Sequence, residues 1–318
     1  MKEQKKNRLL FIKQECMAYS SIAMVKAFKE VGYDVLDFDW QNYRFENGLE
    51  NLNEEVIRLS KGFNPAVTFV HLQLPNVFTV DTFKYLSENS FVINFTEDVR
   101  EDTTWYEEVA PHIGLTVFTN EDDVEKFNQK GIPNVVFMPT SFNDLWYRPM
   151  PKTEIYYGDI IFVGNNYLGT NHNFPKSQER YDMVQYLKKE FGDRFQVHGL
   201  NWGKEIKNLN PPQVIEAYNN CKIVITQNNF ERKGYQSDRA FNAIGCGAFV
   251  LAQNFEGLNE QFDGNLFWWE NFEELKEVCN NLLEATPYRE KLAKKTREFV
   301  LCNHLWENRF EYLKQLVK

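Results

Sequence analysis

A chain of 318 residues exceeds what one hydrophobic core usually supports, and 43% hydrophobic against 25% charged residues is the balance of an ordinary globular protein, so two domains are expected. A formal charge of -9 opposes extended binding along a phosphate backbone while leaving room for a local basic groove. No apolar run reaches the roughly 18 residues of a membrane span, and the opening MKEQKKNRLLFIKQE meets charge before any signal-peptide core, which predicts a cytoplasmic protein with no membrane span.

The first half alternates strand-like apolar runs with helix-like stretches: RLLFIKQE, a helix over 20–31, DVLDFDW, a helix over 51–62, AVTFVHLQ, a helix over 79–89, then FVINFTED. LTVFTN, the polar helix EDDVEKFNQKG ending on Gly131, and NVVFMPT continue the series. That rhythm implies a parallel sheet. Residues 141–158 carry two prolines and no period, so they read as a crossing between domains.

A second series follows: GDIIFVGNN, a helix over 176–191, FQVHGLN, a helix over 211–220, KIVITQNN, then AFVLAQ and NLFWWEN. Amphipathic helices over 272–285, 288–301 and 306–317 end the chain. The expected fold is therefore α/β, two Rossmann-like doubly wound domains facing across a cleft. The domains are placed at 1–145 and 146–318, with the last helix free to pack back on the first.

Five scattered cysteines (Cys16, Cys221, Cys246, Cys279 and Cys302) lack C-x-x-C spacing and read as reduced core residues. The histidines show no paired helical spacing, so no dedicated metal cage is expected. The D-x-D of Asp37 and Asp39 resembles a manganese-binding pair, but it ends the second strand of an early domain, where that role is disfavoured.

Parallel sheets bind ligands beyond the carboxyl ends of their strands, which directs attention to the strand-end loops. In the second half these are Gly164-Asn165-Asn166, where glycine lets backbone amides approach an anion; His198-Gly199; and Gln227-Asn228. Ser237 or Asp238 caps the helix of GYQSDRAFNAIGCGAFVLA. Arg239 falls in its first turn, where the helix dipole disfavours a cation unless an anion sits nearby, and its planar fork suits a diphosphate. In the first half, Asp98 ends a strand and can accept a proton or bind hydroxyls, with Glu97 beside it. His71 ends another strand, where an imidazole can assist proton movement.

Ser237, Arg239, Phe241, Asn242 and Gly245-Cys246-Gly247-Ala248, followed by Gly257, Glu260, Phe262, Glu273-Glu274-Leu275, His304 and Arg309, resemble the pattern of the group 1 glycosyl transferases, in the branch of spore-maturation-like proteins and bacterial or phage sugar transferases. The resemblance is strongest over 158–318; Asp98 and Arg100 match the relatives' N-W-x-G-D-x-R segment more loosely. It implies the GT-B fold, a nucleotide-diphosphate sugar as donor and co-substrate without a further cofactor, an arginine region at the diphosphate, and a glutamate at the ribose. It also suggests a retaining, metal-independent transfer. Asn242 stands where the family has that glutamate.

The acceptor stays open among a glycan, a protein, a small molecule and a modified DNA base. One rival reading is a non-catalytic nucleotide-sugar-binding protein. The other, a nicotinamide-dependent oxidoreductase, lacks G-x-G-x-x-G after the first strand of either half.

Overall fold

The computed structural model describes residues 7–14, 18–172 and 174–317; Cys16 lies outside the described residues. The chain forms two compact units, Met1–Thr140 with Trp306–Lys318, and Ser141–Leu305.

The first unit runs β1 (Arg8–Lys13), α1 (Ala18–Glu30), β2 (Asp34–Asp39), α2 (Trp40–Asn47), α3 (Leu49–Phe63), β3 (Val67–His71), α4 (Val80–Asn89), β4 (Phe91–Thr96), α5 (Thr104–Val109), β5 (Leu115–Phe118), α6 (Glu121–Gln129) and β6 (Val135–Phe137). All strand pairs are parallel, in the order β2-β1-β3-β4-β5-β6. Because successive side chains of a strand face opposite ways, β1 sends Leu10 and Ile12 into one core and Leu9 and Phe11 into the other. Strands apolar on both faces need helices on both faces.

Residues 40–47 form a helix where the sequence pattern suggested only the tail of a strand. Asp39 explains it: its carboxylate accepts from Gln41 N at 3.0 Å and Asn42 N at 3.1 Å, which satisfies orphan amides of the first turn. Gly48, at φ +82°, then separates α2 from α3.

The second unit runs β7 (Ile160–Val163), α7 (Ser177–Phe191), β8 (Phe195–His198), α8 (Pro211–Asn220), β9 (Ile223–Thr226), α9 (Asp238–Gly245), β10 (Phe249–Gln253), α10 (Leu258–Gln261), β11 (Phe267–Trp269), α11 (Phe272–Glu284) and α12 (Thr286–Asn303). Its sheet is also parallel, in the order β11-β10-β9-β7-β8. Gly245 permits a close approach at the end of α9, since a Cβ there would sit 2.6 Å from the Phe142 ring and 2.7 Å from the Tyr147 carbonyl. Four rings, Phe241, Phe262, Phe299 and His304, cluster beside it, which gives His304 a packing role.

The last helix, α13 (Trp306–Leu316), completes the first unit. Phe310 stacks on Phe28 at 3.6 Å between centroids and 8° between planes. Arg309 donates to the Pro139 carbonyl at 3.0 Å and the Thr140 carbonyl at 3.2 Å; burial pushes its guanidinium down to about 10, so it stays a cation at neutral pH. Among the described residues no helix is long and apolar enough to cross a membrane.

Candidate functional site

In a doubly wound sheet the crevice lies where consecutive connections leave toward opposite faces, outside the carboxyl ends of the strands. In the second unit that switch falls between β7 and β9. The loop Gly164-Asn165-Asn166 follows β7 and Gln227-Asn228 follows β9.

Arg180 joins the two. It is fully buried on the first turns of α7, donating through Nη1 to Asn165 O at 3.3 Å, through Nη2 to Gln227 O at 2.8 Å, and through Nε to Gln227 Oε1 at 3.2 Å. The Phe162 and Tyr167 rings lie 5.4 and 5.9 Å from its guanidinium carbon. Burial, then the neighbouring Arg239, push the group down to about 9, which still leaves it cationic at pH 7.

The Nε–Oε1 bond also orients the Gln227 amide. Its Nε2 is left buried without a partner among the described residues, a donor held at the crevice.

The loops themselves are knitted together. Gly164 N donates to His198 O at 2.9 Å, and Asn166 N to Leu200 O at 3.0 Å. Asn165 Oδ1 accepts from Leu200 N at 2.9 Å, and Asn166 Nδ2 donates to Asn201 O at 3.1 Å. Gly199, at φ +148°, allows this approach, because a Cβ there would meet Gly164 O at 2.4 Å.

Asn228 shapes the loop that leads into α9. Its Nδ2 donates to Tyr235 O at 2.8 Å and its Oδ1 accepts from Ser237 N at 3.1 Å. Ser237 caps the helix by accepting from Arg239 N at 3.4 Å, and Asn242 Nδ2 donates to Asp238 Oδ2 at 3.0 Å. Burial works against the Arg239 charge, but Asp238 and then the Tyr235 hydroxyl outweigh it. The Arg239 charge thus bears on Arg180, and Arg239 has the Asp238 carboxylate beside it at the N-terminus of α9, an arrangement suited to an anion.

Of the expected donor-side residues, Gly164, Asn165, Asn166, Gly199, Gln227, Asn228, Ser237, Asp238, Arg239 and Asn242 all lie on this sheet edge. The His198 imidazole does not: its Nε2 bonds the Tyr157 carbonyl at 2.9 Å, and burial lowers its pKa. Arg180 was missed, although the signal applied to Arg239, an arginine in the opening turns of a helix after a glycine loop, was equally visible at 177–180.

The first unit has its switch between β1 and β3. There His71, buried at the end of β3, lies 3.4 Å from Glu97 Oε2 and 3.2 Å from Gln73 Nε2, both measured from its Nε2. Gln73 Oε1 accepts from Arg100 Nη2 at 2.9 Å and from Asp98 N at 3.1 Å. Asp98 is half turned to solvent, 3.6 Å from Arg100. His71, Glu97, Asp98 and Arg100 thus form one polar group on the carboxyl edge of β3 and β4. Asp37 and Asp39 stand apart from it: Asp37 pairs with Lys13 at 2.8 Å and Asp39 caps α2.

Two doubly wound parallel units of this kind define the GT-B fold, and solved glycosyltransferases share it across nearly the whole chain. A glycosyltransferase from Rickettsia africae matches with a TM-score of 0.68 at 14% identity, covering 98% of this chain and 99% of that one. Anabaena HepE in complex with UDP and glucose matches at 0.66 and 12%, covering 97% and 99%. Sucrose-phosphate synthase from Thermosynechococcus elongatus matches at 0.61 and 12%, covering 98% of each chain.

In sequence, residues 179–315 match the family model described as glycosyl transferase-like. That stretch holds Arg180, Gln227 and the whole of α9, so the family match takes in the β9 side of the switch point, while β7 and its loop precede it. The match is to the family at large and does not single out the spore-maturation branch. No curated protein matches the sequence significantly.

Proposed function

We propose that the protein is a glycosyltransferase that holds the diphosphate of a nucleotide-sugar at the β7/β9 switch point. The observation that carries this reading is the pair of guanidiniums, Arg180 and Arg239, gathered with the unpaired Gln227 amide donor, with Asp238 beside Arg239. Breaking a sugar–diphosphate bond builds negative charge on the leaving group, and preorganised donors of this kind stabilise it without a metal. Arg239 faces the leaving group in this scheme, while Arg180 fixes the loops and adds charge from behind.

For the acceptor, His71 is the proposed proton-handling group, with Glu97 orienting it and Asp98 as the sugar- or acceptor-binding carboxylate. Retention of configuration is part of the proposal and rests on the family resemblance. So does the choice of a nucleotide-diphosphate sugar; the acceptor class stays open.

The test is a thermal-shift screen against UDP, GDP, ADP, CMP and their sugar conjugates without added metal, beside Arg239→Ala. A selective rise in melting temperature, abolished in the variant, is expected. No shift with any nucleotide overturns the donor site.

Asn242 favours a second reading. One N–H of its amide is given to Asp238, so a neutral amide with one N–H and Oδ1 remains for ribose hydroxyls where the family has a carboxylate. Under that reading the protein binds the donor without turnover, and donor binding with neither hydrolysis nor transfer would select it.

A further inference from the structure

The opposite edge of the second sheet carries a cavity of about 340 Å³ at the amino ends of β9 and β10. Five of its lining side chains are basic, Lys152, Lys222, Arg289, Lys294 and Arg297, and one, Glu290, is acidic. This occurs in a chain whose formal charge is -9.

Part of that positive charge has a structural use. Arg289 donates to the Leu282 and Leu283 carbonyls at the end of α11, and Arg297 Nε donates to Gly245 O at the end of α9 at 2.8 Å. Lys222 pairs with Asp159 at 3.2 Å.

The remainder is not compensated. Each of the three helix C-termini at this edge, those of α8, α9 and α11, carries about half a negative charge. Together with Glu290, the distant Glu298 and an Asp159 that is shared with Arg194, they offset about four of the five cations. Roughly one positive charge is left at the mouth. Lys152 and Arg297 have no carboxylate partner among the described residues, and Lys294 reaches only Glu298, at 3.9 Å between two exposed side chains.

We propose that this cavity is a second anion site, taking a phosphoryl-bearing small molecule. The terminal nitrogens of Arg297 offer a planar fork to phosphate oxygens, and Lys152 and Lys294 add point charges, a set that favours a dianion over a monoanion. The volume lies at the low end of small-ligand pockets, which suits a phosphomonoester or pyrophosphate rather than a whole nucleotide-sugar. The site is separate from the switch point, which lies at the other ends of the same strands, and it does not depend on the function proposed above.

The test is calorimetric titration of inorganic phosphate and pyrophosphate, at constant ionic strength, into the full chain carrying Arg239→Ala, with and without Lys152→Met and Lys294→Met. Both lysines are exposed and lie outside the core, so the variants keep the fold. Binding is expected to persist in Arg239→Ala and to weaken about ten-fold or more when both lysines are removed. Hydrogen exchange should slow at 246–250 and 289–297.

Three results overturn the inference: no binding to Arg239→Ala, an affinity indifferent to the lysines, or protection confined to 164–166 and 227–239. Loss of all nucleotide binding with retained pyrophosphate binding here would instead sink the donor reading and leave this one standing.

Discussion

Replacing Arg180 with methionine tests whether one buried cation holds the switch point together. The substitution keeps the aliphatic stem but strands three acceptors, the buried Gln227 O and Gln227 Oε1 and the part-buried Asn165 O. At roughly 1 kcal/mol or more for each, the loss is about 3–5 kcal/mol. Removing a desolvated charge that has no carboxylate partner returns part of it, leaving about 2–4 kcal/mol net. For a unit of this size that lowers the melting temperature by about 5–15 °C.

Nucleotide binding should fall too. A unit charge about 8 Å from a phosphate at an effective dielectric near 20 contributes about 2 kcal/mol, or roughly thirty-fold in affinity. Arg180→Lys separates the two effects: it retains charge but loses the fork, so stability should drop while affinity drops less. Urea unfolding read by tryptophan fluorescence, beside calorimetric titration of the nucleotide selected by the screen, measures both. An Arg180→Met protein within about 0.5 kcal/mol of wild type, with unchanged affinity, would refute the reasoning.

Two more expectations follow from the same edge. Gly199→Ala places a Cβ 2.4 Å from Gly164 O at a φ of +148°, so it should cost about 2 kcal/mol or more and lower the melting temperature by several degrees; a change under one degree in calorimetry would contradict the packing. The buried His198 has its pKa lowered from 6.5, so below pH 6.5 the unfolded chain takes up its proton before the folded one does. Its contribution therefore leaves stability unchanged above that pH and reduces it progressively as pH falls toward the folded value. In denaturant unfolding at a series of pH values, wild type should lose stability between pH 7 and 5 more steeply than His198→Gln, and parallel curves would dismiss the effect.

The architecture was legible because both sheets are apolar on both faces and each strand is punctuated by glycine or asparagine. Helix α2 was not, since WQNYRFEN carries no clean apolar stripe and exists through the Asp39 cap and the burial of Trp40 beneath the His71 carbonyl. The site was legible at the level of loops and less so at the level of side chains. Asn165 Oδ1 and both ends of the Asn228 amide bond the backbone, and Asn165 Nδ2 donates to the Tyr167 hydroxyl, partners which only a folded loop reveals. His198 ends a strand on the expected edge, but its imidazole turns to a carbonyl that precedes β7. The position of Arg180 at a helix start is visible in the sequence, but its partners are not, since they lie 15 and 47 residues away.

The return of α13 to the first unit has a consequence for synthesis of the chain. Residues 7–140 leave the ribosome with Phe28, Phe69 and Phe95 still waiting for Trp306 and Phe310, whose rings cover them only after the second unit has been made. At roughly 5–20 residues per second, that apolar face stays open for about 10–35 seconds. The first half of the protein is begun first and finished last, so truncation near the carboxyl end should expose an aggregation-prone surface in the part of the molecule made earliest.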